Sequence, residues 1–499
     1  MNARYRASKV TRRAMSNSLL LILLLSGCTF SQHVSVPKTL CANTSVFSAP
    51  ILYDENFQAE FERSGYQLSF VPHPVAFSPS GRAYARQRHG VAYVNEQGEW
   101  SYCSFTSAIS KVAGGICTGI DMFVRNDLRI VFDRDGYAYT PVIADVEKRK
   151  LNFLMTKSPH SEEWSAYSLP AGDIRMEWFS GARPLAGPPA ILIFQDESIF
   201  LIDVTRSGDH ISVATPEKVA DSVLAIARLG SGGSVVVRSG TMINAVFALR
   251  IAPGGMAGTP EMFAAWLPGH NTKYAPRLLG MSPVYQSRSP DPHDVPVVVS
   301  DSKGVLHAVL GAHNRPFQYT HTMETDPGEI KWTMPVVVGN STDAPGAWNL
   351  TYPELVCDSK DTLHLVARQW TSEKGQFLVY LRKEPGKDWT PPKELVVPQH
   401  RGYFNAYHRL MKDSHDRLFL TWYAYFNHFT EAQKGAYQRK YPGEKLTRAA
   451  AQGFRRFNYE GVKRHGPYLL VSEDRGNSWR MAVDEDFVIR LPSTLTEAE

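Results

Sequence analysis

The chain has 499 residues, 43% of them hydrophobic, and a formal net charge of +5. This length alone would suggest two or three domains, unless the chain is built from internal repeats. All five surplus positive charges lie within the first 27 residues, so the remainder is neutral. Net charge therefore gives no support to nucleic-acid binding, and affinity for an anion must come from local clustering.

The N-terminus has the pattern of an export signal. A basic segment precedes a short apolar run at 19–25, and the sequence LSGC follows at 25–28. This ending resembles a bacterial lipobox and predicts a signal peptide at 1–27 with Cys28 as the lipidated residue. Thr29 after the cysteine favours the outer membrane, by resemblance to enterobacterial sorting rules. The alternative is an ordinary signal peptide with an incidental cysteine.

Four cysteines remain after Cys28, namely Cys41, Cys103, Cys117 and Cys357. Export permits disulfides, and Cys103 and Cys117 are close enough in sequence to form a local bridge. Because no pair has zinc-finger spacing, the sequence requires no cofactor, although a structural metal ion stays open.

The body of the chain repeats a polar turn followed by an alternating strand, the pattern of a β-hairpin. It occurs at 77–86, 132–141, 194–203, 229–238, 300–309, 357–366 and 412–421. Tryptophan followed by threonine or serine recurs at one phase, as in Trp164, Trp332 and Trp389. Anchors at one phase of a β repeat indicate propeller blades. We predict an all-β, seven-bladed propeller, with six or eight blades as alternatives, filling 51–499 as a single catalytic domain after a tether at 28–50.

Two further features lie near the C-terminus. The sequence SEDRGNSW at 472–479 matches the Asp-box pattern, in which Asp474 has a structural role in a hairpin turn. The segment 426–465 is an insertion rich in Lys and Arg, which we expect to be partly helical around 445–454. It is either a solvated loop or a basic wall over a polyanion groove.

Candidate site residues occupy matching phases of adjacent repeats. His293 and Tyr352 precede the turns at Asp301 and Asp358, whereas His313 and Arg368 follow the strand after each turn. Propellers bind ligands at one end of the central channel, so these side chains are expected to converge there. The candidates for substrate binding are Asn314, Arg315, Tyr407 and His408.

Each assignment has a structural alternative. A histidine within a propeller strand more often satisfies a buried polar group, which is our interpretation of His307 and His364. Tyr352 could be a core aromatic residue, and Arg368 could pair with a structural acid such as Glu354.

The segments GVLHAVLGAHNRPFQYTHT, NLTYPEL and LHLVARQW resemble the BNR-repeat family that includes the propeller-fold ulvan lyases. Those enzymes cleave a sulfated polysaccharide of rhamnose and uronic acid by β-elimination. The resemblance implies a site of two His, one Tyr and one Arg, with Tyr and Arg sixteen residues apart. Tyr352 and Arg368 have this spacing, and the step from His293 to His313 also fits.

The chemistry of elimination agrees with these residue types. Arg368 would neutralise the uronate carboxylate, because a guanidinium pairs bidentately with it and stabilises the enolate-like state. His293 and Tyr352 are candidates for the base and the acid, with a nearby Arg favouring a Tyr base. His313 would neutralise or orient the substrate.

Three functions are compatible with the sequence. The first is an exported, monomeric lyase that acts on an acidic polysaccharide and is lipid-anchored in the bacterial cell envelope. The second is a glycoside hydrolase on the same scaffold, and the third is a non-catalytic glycan-binding surface lipoprotein.

Overall fold

The computed structural model is organised as successive antiparallel sheets around a ring. It describes residues 46–47, 51–53, 75–87, 89–120, 129–177, 184–221, 223–225, 236–239, 242–249, 262–266, 277–281, 296–310, 317–323, 331–338, 350–371, 375–398, 404–427, 435, 439, 442 and 462–487. Cys28, His293, His313, Asn314 and Arg315 lie outside these residues, as does Cys41.

Three sheets come from the first half of the chain, together with one helix, α1 (Thr106–Ala113), and one two-stranded hairpin. The first sheet contains β3 (Val75–Phe77), β4 (Ala83–Gln87), β5 (Gly90–Val94) and β6 (Trp100–Ser104). The second contains β7 (Cys117–Ile120), β8 (Val131–Phe132), β9 (Ala138–Val146), β10 (Arg149–Lys157) and β11 (Ser165–Leu169). The third contains β12 (Asp173–Met176), β13 (Ile191–Gln195), β14 (Ser198–Ile202) and β17 (Glu217–Ala220), with the hairpin β15 (Val204–Ser207) and β16 (His210–Val213) between β14 and β17.

The second half of the chain continues the pattern. The fourth sheet contains β18 (Val223–Ala225), β19 (Val236–Ser239), β20 (Met242–Leu249), β21 (Met262–Trp266) and β22 (Arg277–Met281). The fifth contains β23 (Val297–Ser300), β24 (Leu306–Leu310), β25 (Gln318–Met323), β26 (Lys331–Trp332) and β27 (Val336–Val337). The last contains β28 (Leu350–Cys357), β29 (Leu363–Thr371), β30 (Gly375–Lys383), β31 (Lys393–Pro398), β32 (Phe404–Lys412), β33 (Leu418–Asn427), β34 (Val462–Ser472) and β35 (Trp479–Met481), together with the N-terminal strands β1 (Val46–Phe47) and β2 (Ile51–Tyr53).

This arrangement is the predicted all-β propeller. Consecutive antiparallel strands form each sheet, and the first strands of neighbouring sequence repeats contact one another, β23 with β28 and β28 with β32. The first sheet closes onto the last, because β3 contacts β32 and Phe77 packs on Phe419 with ring centroids 4.8 Å apart. All eight residues of β28 are buried, as expected for a strand enclosed by neighbours on both faces.

The predicted number of seven blades is not confirmed. Among the described residues, six sheets have four or more strands, and one of these has ten. Two successive sequence repeats contribute β28–β31 and β32–β35 to the ten-stranded sheet. A parallel bridge between Gln376 and Phe404 joins them, so the two repeats do not form separate sheets.

The recurring polar turns have one geometry. At residues 133, 301, 358 and 413, Asp Oδ1 accepts hydrogen bonds from the backbone N–H groups two and four residues later. The third residue after each Asp has a positive φ, which Gly136 and Gly304 adopt without strain. The carboxylate thus replaces backbone partners that the tight turn cannot provide. The turn expected at 229–238 falls mostly outside the described residues.

Two tryptophans, Trp389 and the Asp-box Trp479, join neighbouring repeats. Trp389 packs edge-on against Tyr319 of the preceding repeat with centroids 5.5 Å apart, and Trp479 packs similarly against Tyr380 at 6.0 Å. In the Asp-box, Oδ1 of Asp474 accepts the N–H of Ser478 at 2.8 Å. Asp474 is therefore a structural residue of the turn.

The basic segment 426–465 connects two strands of a single hairpin. β33 extends to Asn427 and pairs there with Val462, the first residue of β34. The predicted helix around 445–454 lies outside the described residues.

The Cys103–Cys117 bridge does not form. Cys103, Cys117 and Cys357 are free thiols, and burial raises the pKa of each of them. Within the described part of the chain, no helix is long and apolar enough to cross a membrane, and no group of three or more His, Cys, Asp or Glu side chains is placed to hold a metal ion.

Candidate functional site

The candidate site is built on an irregularity at the start of β28. The register between β28 and β29 shifts between Thr351 and Glu354, which leaves Tyr352 and Pro353 without ladder partners in β29. Tyr352 adopts φ 56°, a left-handed conformation that is rare for an aromatic residue. Such a bulge redirects a side chain out of the alternating pattern of the strand. Backbone strain of this kind concentrates at functional positions.

Arg368 lies directly across the ladder from this bulge. Its guanidinium carbon is 4.4 Å from the centroid of the Tyr352 ring, a cation–π contact. Its Nε also donates a hydrogen bond of 3.1 Å to Oγ1 of Thr351. The guanidinium is thus held over the phenol ring. Tyr352 is 4% exposed and Arg368 is 8% exposed, so both lie largely out of solvent, where electrostatic interactions are strong.

The same irregularity recurs one repeat later. The register between β32 and β33 shifts between Ala406 and Arg409. Tyr407 therefore stands at the position of Tyr352, since each is six residues before its turn Asp, and His408 stands at the position of Pro353. The sheet presents two neighbouring bulges with related sequences.

His408 connects the second bulge to the first. Its side chain is completely buried, and Nε2 lies 3.3 Å from the carbonyl oxygen of Val366 in β29. Burial lowers the pKa of His408 to about 3, and the positive charges of Arg409 and Arg368 act in the same direction. The backbone groups of Val366 and Tyr352 oppose this shift but do not overcome it. His408 is therefore neutral at physiological pH and located beside the Tyr352–Arg368 pair.

An ion pair crosses between the two bulges. Nη1 of Arg409 is 3.0 Å from Oε1 of Glu354, and the Glu354 side chain is completely buried. These residues occupy equivalent positions, each four residues before its turn Asp, and they carry opposite charges. The pair fixes the relative placement of the strands that carry Tyr352 and His408.

The structure brings together three of the residues predicted from sequence, namely Tyr352, Arg368 and His408. Tyr407 lies in β32 next to His408. Four other predicted site residues lie outside the described part of the chain, namely His293, His313, Asn314 and Arg315. Their roles stay predictions. Sequence reasoning missed Thr351 and Arg409. The Glu354–Arg409 pair could have been identified from the sequence, because the two residues occupy equivalent positions in successive repeats and carry opposite charges.

His307 and His364 are structural, and both have the same type of partner. Nε2 of His364 is 3.2 Å from Oδ2 of Asp358, and Nδ1 is 2.6 Å from the Tyr380 hydroxyl. His307 makes the equivalent contacts to Asp301 and Tyr319. Burial opposes ionisation of the Asp358 carboxyl, but hydrogen bonds from His364 and from the turn backbone outweigh it and lower the pKa of Asp358.

Residues 263–497 match the model of a BNR repeat-containing family. This match agrees with the Asp-box geometry and confirms that the chain resembles BNR-type propellers, the group with which the sequence was compared. No curated protein matches the chain.

Several solved structures have a similar arrangement at low identity. An ulvan lyase, a polysaccharide lyase bound to -[GlcA(1-4)Rha3S]-, has 11% identity and a TM-score of 0.36, over 76% of this chain and 93% of its own. The Aleuria aurantia lectin has 10% identity and a TM-score of 0.32, over 63% and 91%. The Penicillium chrysogenum α-L-arabinanase has 11% identity and a TM-score of 0.31, over 59% and 88%.

Proposed function

We propose that this protein is a polysaccharide lyase that cleaves a uronic-acid-containing polymer, of the sulfated ulvan type or related to it, by β-elimination. The observation that carries the proposal is the guanidinium of Arg368 held against Tyr352 on a strained bulge. A fixed cation beside a phenol is the pair that this reaction needs. The resemblance of the surrounding sequence to the ulvan lyases supports the same assignment.

The reaction would start at C5 of the uronate ring. That proton is weakly acidic while the neighbouring carboxylate is charged, and a guanidinium paired with the carboxylate stabilises the negative charge that develops there. Arg368 has this role. Thr351 holds Nε and thereby restricts the orientation of the guanidinium, and a guanidinium can pair bidentately with a carboxylate.

Tyr352 and His293 form the proposed acid/base pair. One removes the C5 proton, the C4–O4 bond breaks as the C4–C5 double bond forms, and the other supplies a proton to the departing O4. His313 orients the substrate, and Asn314, Arg315 and Tyr407 bind it. His408, buried and neutral, positions the Tyr352–Arg368 pair.

Activity on a panel of uronic-acid polysaccharides tests this proposal, with the ultraviolet absorbance of the unsaturated product as the readout. Tyr352→Phe and Arg368→Ala are each expected to lower kcat/KM by a factor of 100 or more, within the range of a lost acid/base or charge-stabilising group. Lys360→Ala, on an exposed turn of the same repeat, is the control and should retain full activity.

Other products would contradict the proposal. New reducing ends without unsaturation would assign the protein to the glycoside hydrolases. Binding of a polyanion without cleavage would assign it to the glycan-binding lipoproteins. Full activity of either site variant would show that the Tyr352–Arg368 pair is not the catalytic centre.

We also propose that the ten-stranded sheet comprises two blades, which with the other five sheets makes a seven-bladed, monomeric propeller. Each half follows one sequence repeat with its own turn Asp and anchoring Trp. We further propose that Cys28 carries a lipid that holds the protein at the outer membrane. Cys28→Ser should move the protein from the membrane fraction to the soluble fraction, and unchanged fractionation would contradict the anchor.

A further inference from the structure

A cleft of about 470 Å³ lies between the fifth sheet and the β28–β31 repeat. It is lined on one side by Asp301, His307, Tyr319 and His321, and on the other by Asp361, Lys383 and the turn at 384–386. Its volume is within the range of about 300–1,000 Å³ that is usual for ligand sites. We call it the Asp361 cleft.

The Asp361 cleft is separate from the proposed active site. Leu363 lines the cleft and Arg368 belongs to the active site, and both are in β29. Five residues of extended strand separate them, a distance of about 17 Å. The two sites therefore lie towards opposite ends of the same strand.

We call the contact region between two successive repeats a junction. At the next junction along the chain, the space equivalent to the Asp361 cleft is filled. There, between the β28–β31 and β32–β35 repeats, Arg475 is inserted into the position equivalent to the cleft. Its Nη2 is 3.1 Å from Oδ2 of Asp416, and its Nε is 3.7 Å from Oδ2 of Asp358. Lys412 adds a second cation 3.4 Å from Asp416. Two positive charges thus compensate the two carboxylates at this junction.

The carboxylates are repeated at the Asp361 cleft, but the guanidinium and its ion pairs are not. The cations that line this cleft are Lys303 and Lys383, and Nζ of Lys383 lies 5.8 Å from the centroid of the Tyr319 ring. Asp361 bonds the backbone N–H and the hydroxyl of Ser302, each at 2.7 Å, just as Asp416 bonds those groups of Ser359. Pro385, four residues before Trp389, occupies the position of Arg475, which is four before Trp479. Cys357 occupies the position of Lys412. Among the described residues, no Lys or Arg lies within ion-pair distance of Asp301 or Asp361.

The turn itself explains why the space stays open. Arg475 and Gly476 both have positive φ, which directs the Arg475 side chain into the junction. Pro385 cannot adopt a positive φ, because its ring fixes φ near −65°. The side chain at this position therefore neither reaches the carboxylates nor carries a charge.

A third junction shows the same requirement for a guanidinium. Between the second and third sheets, Nη2 of Arg206 is 3.2 Å from Oδ2 of Asp133, the turn Asp equivalent to Asp301. The Arg206 guanidinium also lies over the Tyr137 ring, 3.8 Å from its centroid. In both of these junctions a guanidinium from the following repeat contacts the turn carboxylate of the preceding one.

We propose that the Asp361 cleft binds a guanidinium group supplied from outside the chain. The carboxylates of Asp301 and Asp361 are its anionic partners, and Tyr319 and His321 form the aromatic wall beside which the planar cation lies. The Asp301 carboxyl is ionised at neutral pH, because hydrogen bonds from His307 and from the turn backbone outweigh the opposing effect of burial and lower its pKa. This site does not depend on the proposed lyase activity.

Calorimetric titration of the full chain with ethylguanidinium tests the proposal. Ethylurea, which has nearly the same shape and no charge, is the matched ligand and should bind at least tenfold more weakly. Asp361→Asn should weaken guanidinium binding at least fivefold. This variant is expected to fold, because Asp361 has φ 62° and Asn tolerates that conformation well. An unchanged thermal unfolding curve would verify this.

Asp388→Asn is the control, because Asp388 is an exposed acid of the same turn region that does not line the cleft. It should leave binding unchanged. Equal affinity of the wild type and Asp361→Asn, or of ethylguanidinium and ethylurea, would overturn the proposal. Tighter binding of the peptide acetyl-Gly-Arg-Gly-amide than of ethylguanidinium would identify an arginine of a protein as the source, whereas weaker binding would identify a small guanidino compound. Loss of lyase activity affects none of these measurements.

Discussion

Two hydrogen bonds link Thr351 and Arg368, which face each other on the paired strands β28 and β29. Nε of Arg368 donates to Oγ1 of Thr351 at 3.1 Å, and the same hydroxyl donates to the carbonyl oxygen of Arg368 at 3.4 Å. The hydroxyl therefore ties the guanidinium to the backbone from which it extends. This contact and the ring of Tyr352 both restrict the orientation of the positive charge.

Replacing Thr351 with Val should disorient this charge without unfolding the chain. Val has nearly the shape of Thr and retains the β-branched packing, but it removes the acceptor for Nε. We expect kcat on a uronan to fall about tenfold with a smaller change in KM, because the guanidinium acts mainly on the charge that develops in the transition state. Thr351→Ser retains the hydroxyl and should restore most of the rate. Equal rates for the Val and Ser variants would contradict the positioning role.

His408 makes the stability of the protein dependent on pH. Its pKa is about 3 in the folded state, below its ordinary value of 6.5, so the unfolded chain binds a proton more readily than the folded chain. The free energy of unfolding therefore rises with pH between about 3 and 6.5 and is lost as pH falls through that window. The contribution of one such group is at most about 1.4 kcal/mol per pH unit.

Two variants separate the contribution of His408 to the pH dependence of stability from the contributions of other titratable groups. His408→Gln should flatten the dependence of the urea-unfolding free energy on pH between 4 and 6.5, whatever its effect on absolute stability. His415→Gln changes an exposed histidine in the adjacent turn and should leave the slope unaltered. If both variants retain the wild-type slope, His408 is not the titrating group.

Two equivalent glycines allow a matched test of the junctions. Gly476 has φ 85°, and a Cβ there would lie 2.2 Å from the Tyr380 hydroxyl oxygen. Gly386 has φ 71° and open space around it. Gly386→Ala should cost only the backbone strain, about 1 kcal/mol. Gly476→Ala should cost at least about 2 kcal/mol more, because the turn must move away from Tyr380 and weaken its packing on Trp479. Thermal or urea unfolding measures both, and equal losses would show that the junction is not tightly packed.

The repeat positions were largely predictable from sequence, because local chemistry determines them. Asp358, Asp413 and Trp389 recur at fixed spacing, and each satisfies a turn or an inter-repeat contact that depends on few neighbours. The blade count was less predictable, because a single bridge between Gln376 and Phe404 joins two repeats into one sheet. Nothing in the repeat spacing encodes such a bridge.

The candidate site was predicted in part for the same reason. The phases of Tyr352 and Arg368 placed them together, but sequence alone did not show the bulge, since a register shift depends on how two strands pair. Thr351 was missed because a threonine in a strand is ordinary until its partner is known. His408 was predicted as a substrate ligand, whereas its complete burial favours a positioning role.

Breaking the Glu354–Arg409 ion pair should destabilise the protein far more than breaking an exposed ion pair. Glu354 is completely buried and its partner lies 3.0 Å away in the next repeat. Glu354→Gln leaves the Arg409 guanidinium without its anion in a largely buried position, which usually costs about 3–5 kcal/mol. Glu384→Gln removes one partner of the solvent-accessible Lys387–Glu384 pair and should cost much less. Urea unfolding measures both.

Replacing Glu354 and Arg409 together by Gln and Met should recover part of the loss, because the unpaired charge is then also removed. A double variant no more stable than Glu354→Gln would show that the cost comes from packing rather than from the unpaired guanidinium.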